Sequence, residues 1–242
     1  MSVHTYVHND AQAASTACAA KVIQLLEQSL AEKPNAAFAI SGGSTPKLLF
    51  QELAKLPFDW DKVHLFWVDE RSVPPTDPQS NYRLAKENFI DPAQFPSRNV
   101  HRIQGELAPQ TAAQLYAGDI RDFFGLKADE LPRFDVIHRG MGPDAHTASL
   151  FPGDPLINDL RNLTAAVYAE KFQQWRVTLL PGVLLAARNT VMLVAGEDKA
   201  EPLRSVLSAP YDPLKYPAQI ATRQERGQVM WFLDQAAARL IS

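Results

Sequence analysis

Phe134-Asp135-Val136-Ile137, then Gly140-Met141-Gly142-Pro143-Asp144-Ala145-His146-Thr147-Ala148-Ser149-Leu150-Phe151-Pro152-Gly153, is the stretch on which the reading of this 242-residue chain turns. The apolar run predicts a buried strand, and the glycine-rich segment after it predicts a tight turn leading into a segment that can start a helix. Such a junction suits chemistry. Glycines let the backbone approach a ligand, a helix start offers unpaired N–H donors, and Asp144 and His146 set a carboxylate beside an imidazole. An imidazole is a ready general base near neutral pH, and a carboxylate two residues away orients it or holds the substrate. Taken alone, the same residues also suit a glycine-rich turn with a solvated Asp and His. The surrounding sequence decides.

Working outward, residues 10–31 predict a helix, capped by Asp10 or Asn9, with Ala14, Cys18, Val22, Leu25 and Leu26 as its apolar stripe. Ala36–Ile40 is a continuous apolar run of the kind that forms a buried parallel strand. It leads into Ser41-Gly42-Gly43-Ser44-Thr45-Pro46 and a helix over 47–53, with Pro46 suited to the first turn. Residues 63–68 form the next expected strand, with Asp69-Glu70-Arg71 at its carboxyl end. Helices near 81–89 and 111–124, a strand near 99–103 and the strand at 134–138 continue the alternation. After the central motif come strands at 163–167, 190–194 and 229–233, helices near 181–187 and 198–207, and a terminal helix capped by Asp234. Strands alternating with helices predict an α/β fold: a mostly parallel sheet with helices on both faces, three layers in all, formed as one domain over residues 1–242. The Pro-rich segment 73–78 is read as an active-site loop.

Bulk properties narrow the function. A formal charge of −3 with no Lys/Arg cluster argues against a nucleic-acid partner. Cys18 is the single cysteine, so neither an internal disulfide nor a multi-cysteine metal site is available, and its expected role is core packing. Met1–Tyr6 lacks a basic segment followed by an apolar one, and no run of ~18 apolar residues occurs. The expectation is a soluble cytoplasmic protein with no membrane association, no obligatory protein partner and no cofactor. The six His have no paired ligand spacing, and no metal is required.

In open α/β sheets, ligands bind beyond the carboxyl ends of the strands. Four blocks are expected there: 41–45, 69–71, 140–146 and 196–199. The loop Gly42-Gly43-Ser44-Thr45 before a helix suits an anion, through backbone N–H groups and two hydroxyls. No Gly-x-Ser-x-Gly elbow or cysteine nucleophile presents itself, so a covalent acyl-enzyme is not indicated.

The motif at 140–153 resembles that of the 6-phosphogluconolactonases, whose usual pattern is Gly-Met-Gly-x-Asp-Gly-His-Thr-Ala-Ser-Leu-Phe-Pro. Ser41–Pro46, Val68–Pro74 with Ser80-Asn81-Tyr82, and more weakly Arg176–Leu179 with Gly196–Ala200, match further blocks in the same order. The resemblance spans roughly residues 38–207. It implies the modified Rossmann-type fold shared with glucosamine-6-phosphate deaminases and a small sugar-phosphate lactone as substrate. By resemblance, His146 is the base that activates water, and Asp144 orients it or binds a hydroxyl. Gly42, Gly43, Ser44, Thr45, Arg176 and Lys199 hold the phosphate, Arg71 meets the phosphate or the sugar-acid end, and Asp69 and Glu70 either orient Arg71 or touch ligand. Deaminases typically have Asp-Glu-Tyr where this chain has Asp69-Glu70-Arg71, and a different run after the His, so the resemblance favours the lactonases. Sugar-phosphate sensors with this type of fold carry a helix-turn-helix segment ahead of it; here a first strand is expected within a few residues of Met1.

Two departures from the family pattern stand out. Ala145 occupies a usual Gly position, and must take φ < 0 or carry strain of about 1–3 kcal/mol. His138-Arg139 replaces a usually apolar pair and is expected at a strand end that reaches water.

Overall fold

The computed structural model describes residues 3–223 and 227–241. Strand β1 (Val3–His8) leads into helix α1 (Ala11–Glu32), which starts where the Asp10 carboxylate accepts the Ala13 N–H at 2.7 Å. Its buried positions include the expected stripe from Ala14 to Leu26, and it stops at an extended Lys33 before Pro34. Strand β2 (Ala36–Ile40) is buried throughout. Helix α2 (Ser44–Lys55) follows with Gly43 as N-cap, three residues earlier than the expected helix, so the glycine loop is the helix entrance itself.

Strands β3 (Val63–Trp67) and β4 (Asp69–Arg71) precede helix α3 (Asn81–Ala85), capped by the Ser80 hydroxyl and widening into a π turn over Lys86–Ile90. Strand β5 (Val100–His101) is shorter than expected. Helix α4 (Pro109–Phe124) ends on Gly125 at φ +61°, the left-handed geometry that glycine adopts without penalty. Then come β6 (Val136–Arg139), β7 (Thr164–Ala169), β8 (Gln174–Leu179), α5 (Pro181–Ala186), β9 (Asn189–Val194), α6 (Ala200–Ser208), β10 (Gln228–Asp234) and α7 (Gln235–Ala238). As expected, Asp234 caps α7, accepting the Ala237 N–H at 2.7 Å.

Seven strands form one parallel sheet in the order β1-β10-β9-β6-β2-β3-β5. Alternate residues of β9 and β10 enter opposite cores: Val191, Leu193, Met230 and Phe232 join the large cluster containing the α1 stripe, while Met192, Val194, Trp231 and Leu233 join a smaller one with Leu203 of α6 and Ala237 of α7. Both faces are therefore covered, which explains why these strands read as unbroken apolar runs. A second, antiparallel sheet, β4-β8-β7, was not foreseen, because a three-residue strand carries too little periodicity to read. Among the described residues, no helix is long and apolar enough to cross a membrane.

From β2 the chain moves outward through β3 to β5, then returns to lay β6 against the other edge of β2 and moves outward again through β9 and β10. The strand order thus reverses between β2 and β6, and a crevice opens above their carboxyl ends. Asp135 fixes this pair at its start. Its N–H donates to the Ala37 carbonyl at 3.0 Å, and its carboxylate accepts the Ala37 N–H at 2.7 Å and the Lys33 ammonium at 2.6 Å. The side chain stands in for a ladder partner, so β6 starts at Val136 rather than at 134.

Replacing Asp135 with Ala strands a buried N–H and a lysine, and should lower the unfolding free energy by about 2–3 kcal/mol in urea titration. An unchanged midpoint would mean that the clasp does not hold the central pair.

Candidate active site

At the β2/β6 crevice lies a cavity of about 260 Å³. Gly42, Gly43, Ser44 and Thr45 line it from the entrance of α2, Asp69 and Arg71 from β4, His146 from the loop after β6, Arg176 from β8, and Lys199 from the turn before α6. Asp144 stands behind His146. Ten of the eleven residues singled out in the sequence, all but Glu70, are thus brought together, from segments spread over more than half the chain.

The loop after β6 is a closed turn. The Gly142 N–H donates to the His146 carbonyl at 2.9 Å, the Ala145 N–H to the Gly142 carbonyl at 3.0 Å, and the Thr147 hydroxyl to the Gly140 carbonyl at 3.0 Å. Ala145 takes φ +63° and Ala148 φ +55°, so two alanines sit in the left-handed region, each at a cost of about 1–2 kcal/mol. Of the two alternatives open at 145, the strained one is present, and Ala148 adds a second instance. Ala145 is buried, and its carbonyl accepts the Ala218 N–H at 2.9 Å, so surrounding packing holds the conformation. Gly142 is required for space: a Cβ there would overlap the His146 imidazole and the Asp144 carboxylate. Gly42 is required likewise, since a Cβ would strike Asn81, whose side-chain amide donates to the Asp69 carbonyl at 2.8 Å.

His146 Nδ1 lies 2.5 Å from Asp144 Oδ1, and Lys171 Nζ lies 3.2 Å from Asp144 Oδ2. Partial burial pushes the Asp144 carboxyl up, but hydrogen bonds from His146 and Lys171 and the nearby imidazole more than offset this and leave it well below the usual carboxylate range. An ionised Asp144 only accepts, which places the proton on Nδ1 and leaves a lone pair on Nε2. The ring packs 4.8 Å from Phe151, centroid to centroid.

The opposite wall is cationic. Arg71 and Arg176 are direct cross-strand partners of β4 and β8, an arrangement of like charges that disfavours itself unless an anion joins them. Burial pulls the Arg176 guanidinium down, the Asp69 carboxylate opposes this, and Arg71 adds to it. Arg176 Nε and the Ser41 hydroxyl are buried with no hydrogen-bond partner among the described residues. Gly43, at φ +127°, opens α2 with no side-chain cap, so the first N–H groups of the helix point their partial positive charge at the cavity. Ser149 holds Asp69 through a hydroxyl-to-carboxylate bond of 2.7 Å, and Lys199 Nζ rests 2.6 Å from Asp198.

One pair of alternatives is resolved and one expectation needs correction. Glu70 does not line the cavity and instead holds the Arg71 backbone. Its buried carboxylate accepts the backbone N–H groups of Arg71, Asn81 and Tyr82 and the Ser80 hydroxyl, tying the Pro-rich loop to the start of α3. His138 and Arg139 do not reach water: they are 0% and 1% exposed, because β6 is central, with Val191 beside His138 and Met192 beside Arg139. Neither His138 ring nitrogen, nor Arg139 Nε or Nη1, has a partner among the described residues. Burial pushes His138 down to about 3 and Arg139 down to about 9. Sequence reading also missed Lys171 and Phe172, which lie at the tip of the β7–β8 hairpin; the bare succession of two strand-like runs marks a tip but not what it touches. No group of three or more His, Cys, Asp or Glu able to hold a metal ion occurs among the described residues.

Against known proteins, the family of glucosamine-6-phosphate isomerases/6-phosphogluconolactonase matches residues 9–231, and the chain belongs to it. The chain is 37% identical over 213 residues to the 6-phosphogluconolactonase of Synechocystis sp., covering 88% of this chain and 87% of that one. To the human 6-phosphogluconolactonase it is 36% identical over 213 residues, covering 85% and 81%. The structure of Trypanosoma brucei 6-phosphogluconolactonase overlays 100% of this chain and 99% of its own with a TM-score of 0.87 at 26% identity. A monomeric glucosamine-6-phosphate deaminase shares the fold, with a TM-score of 0.81 at 18% identity over 99% and 100% of the two chains. Within the family the chain sits with the 6-phosphogluconolactonases, which are carboxylic ester hydrolases.

Gly142→Ala should keep the fold, by circular dichroism, yet lower kcat about 10²-fold, because displacing the imidazole by an ångström spoils its geometry. Activity like that of the wild type would show that His146 tolerates displacement. His138 supplies a second expectation. In the unfolded chain it takes up a proton below about pH 6.5, whereas in the fold it does so only near 3. Stability is therefore full above about 6.5 and falls with acidification by up to about 1.4 kcal/mol per pH unit. Between pH 7 and 5, His138→Val should lose about 2 kcal/mol less unfolding free energy than the wild type; equal losses would contradict a neutral buried imidazole.

Proposed function

We propose that this protein opens 6-phospho-D-glucono-1,5-lactone to 6-phosphogluconate, the lactone-hydrolysing step of the oxidative pentose phosphate pathway, using a water activated by His146 and no covalent intermediate. The observation that carries this reading is the Asp144–His146 pair, set across a small cavity from Arg71, Arg176, Lys199 and the uncapped start of α2. One side supplies a base, the other a seat for a phosphate.

In this reading the phosphate rests on the Gly43–Thr45 entrance of α2, Arg176 and Lys199, and Arg71 shares the anion with its cross-strand partner. His146 Nε2 takes a proton from water as the oxygen bonds to C1. The C1–ring-oxygen bond then breaks, and the same proton passes to the departing ring oxygen. Asp144 holds the imidazole through Nδ1 and stabilises the imidazolium that forms. A general base contributes about 10²–10⁴-fold and one oxyanion donor about 10²–10³-fold, which suits an ester as reactive as a lactone. Residues 1–242 act as one domain built around this crevice. The wholly buried free thiol of Cys18 fits a reducing compartment, and we place the enzyme in the cytoplasm.

His146→Ala should lower kcat at least about 10²-fold while leaving KM nearly unchanged, since a general base acts mainly in the transition state. A folded variant with the kcat of the wild type would overturn the mechanism.

A further inference from the structure

The tip of the β7–β8 hairpin reaches the pair that carries the chemistry. Glu170–Phe172 form a short turn, closed by Gln173 at φ +47°. From this tip Lys171 places Nζ 3.2 Å from Asp144 Oδ2, while Oδ1 accepts from His146 Nδ1 and, at 3.3 Å, from the His146 N–H. The adjacent Phe172 lines the cavity, with the Arg176 guanidinium 4.6 Å from its ring centre and the Phe151 ring 6.0 Å away. Phe151 in turn packs on His146.

A carboxylate held at one oxygen is free to swing about its last side-chain bond, whose rotational profile is broad. A second, charge-assisted contact on the other oxygen removes that freedom. We propose that Lys171 is a positioning residue for the reaction: its ammonium, delivered by the hairpin tip, clamps Asp144 and so holds the His146 imidazole aimed at the water it activates. The inference rests on the reading of His146 as the base. The Lys171 side chain is 56% exposed, so as a surface ion pair it adds little to folding stability. What it changes is geometry and local charge. The charged groups around His146 are the Asp144 carboxylate from its own loop, the Lys171 ammonium from the hairpin and, lining the same cavity, Asp69 and Arg71 of β4, Arg176 of β8 and Lys199 before α6. Replacing Lys171 by a neutral residue removes the positive charge bound directly to Asp144 and leaves the others in place.

The test compares Lys171→Met, Lys171→Arg, Asp144→Asn, the Lys171→Met/Asp144→Asn double variant and His146→Ala, with the phosphorylated lactone as substrate. Lys171→Met should lower kcat about 3- to 10-fold with KM within about twofold, an unchanged thermal midpoint, and the acid limb of its kcat/KM profile moved to higher pH. Lys171→Arg should restore most of the rate, and in the Asp144→Asn background Lys171→Met should have no further effect. If His146→Ala is inactive while Lys171→Met matches the wild type in rate and pH profile, the positioning role is overturned and the base stands. Equal losses from Lys171→Met with and without Asp144 would overturn it too. If His146→Ala turns over normally, the base assignment fails, and the role of Lys171 fails with it.

Discussion

The Asp135 carboxylate, locked between the Ala37 N–H and the Lys33 ammonium, sets β6 beside β2 at the centre of the sheet, and everything functional hangs from the far end of that pair. Two adjacent parallel strands whose connections leave in opposite directions necessarily part above their carboxyl ends. Into that gap β2 delivers the uncapped start of α2, and β6 delivers the loop with Asp144 and His146. Shifting either strand by one residue would turn its side chains to the other face and break both contributions together.

The site is held by opposed electrostatic demands. Arg71 and Arg176 face each other across β4 and β8 with a helix entrance nearby, so positive potential accumulates where no protein carboxylate fully answers it. Across the cavity Asp144 is kept ionised by its hydrogen-bonded neighbours, and that charge fixes which nitrogen of His146 is free. The loop achieves this with two left-handed alanines and with glycines at 42 and 142 that leave room for Asn81 and His146. Strain and close approach concentrate at the candidate site, and the seven-stranded sheet supplies the rigidity that sustains them.

Much of this was legible in the sequence. The parallel strands announce themselves as short apolar runs because both faces are buried, and the helix caps at Asp10 and Asp234 follow side-chain chemistry that acts over three residues. The candidate residues converge because loops at strand ends must meet at one edge. What escaped is tertiary. The three-residue β4 has no period to detect, and the pairing of Arg71 with Arg176 depends on a sheet the sequence does not mark. Lys171 finds Asp144 only because the hairpin folds over the cavity. His138 and Arg139 misled because polar residues at a strand end usually reach water, whereas β6 has neighbours on both edges and a covered face on each side. For Glu70 the sequence left two roles open, orienting Arg71 or touching ligand; it accepts the Arg71 N–H together with those of Asn81 and Tyr82, a reach invisible until the loop from 72 to 80 closes.

The central claim is that one crevice couples a phosphate seat to a water-activating base. The most direct measurement is the rate at which freshly generated 6-phosphoglucono-1,5-lactone opens, followed by acid release against its spontaneous hydrolysis, with glucono-1,5-lactone run in parallel. The account predicts saturable opening, first order in enzyme, for the phosphorylated lactone and a far lower kcat/KM for the unphosphorylated one. No acceleration over the spontaneous rate, or equal acceleration of both lactones, would contradict it.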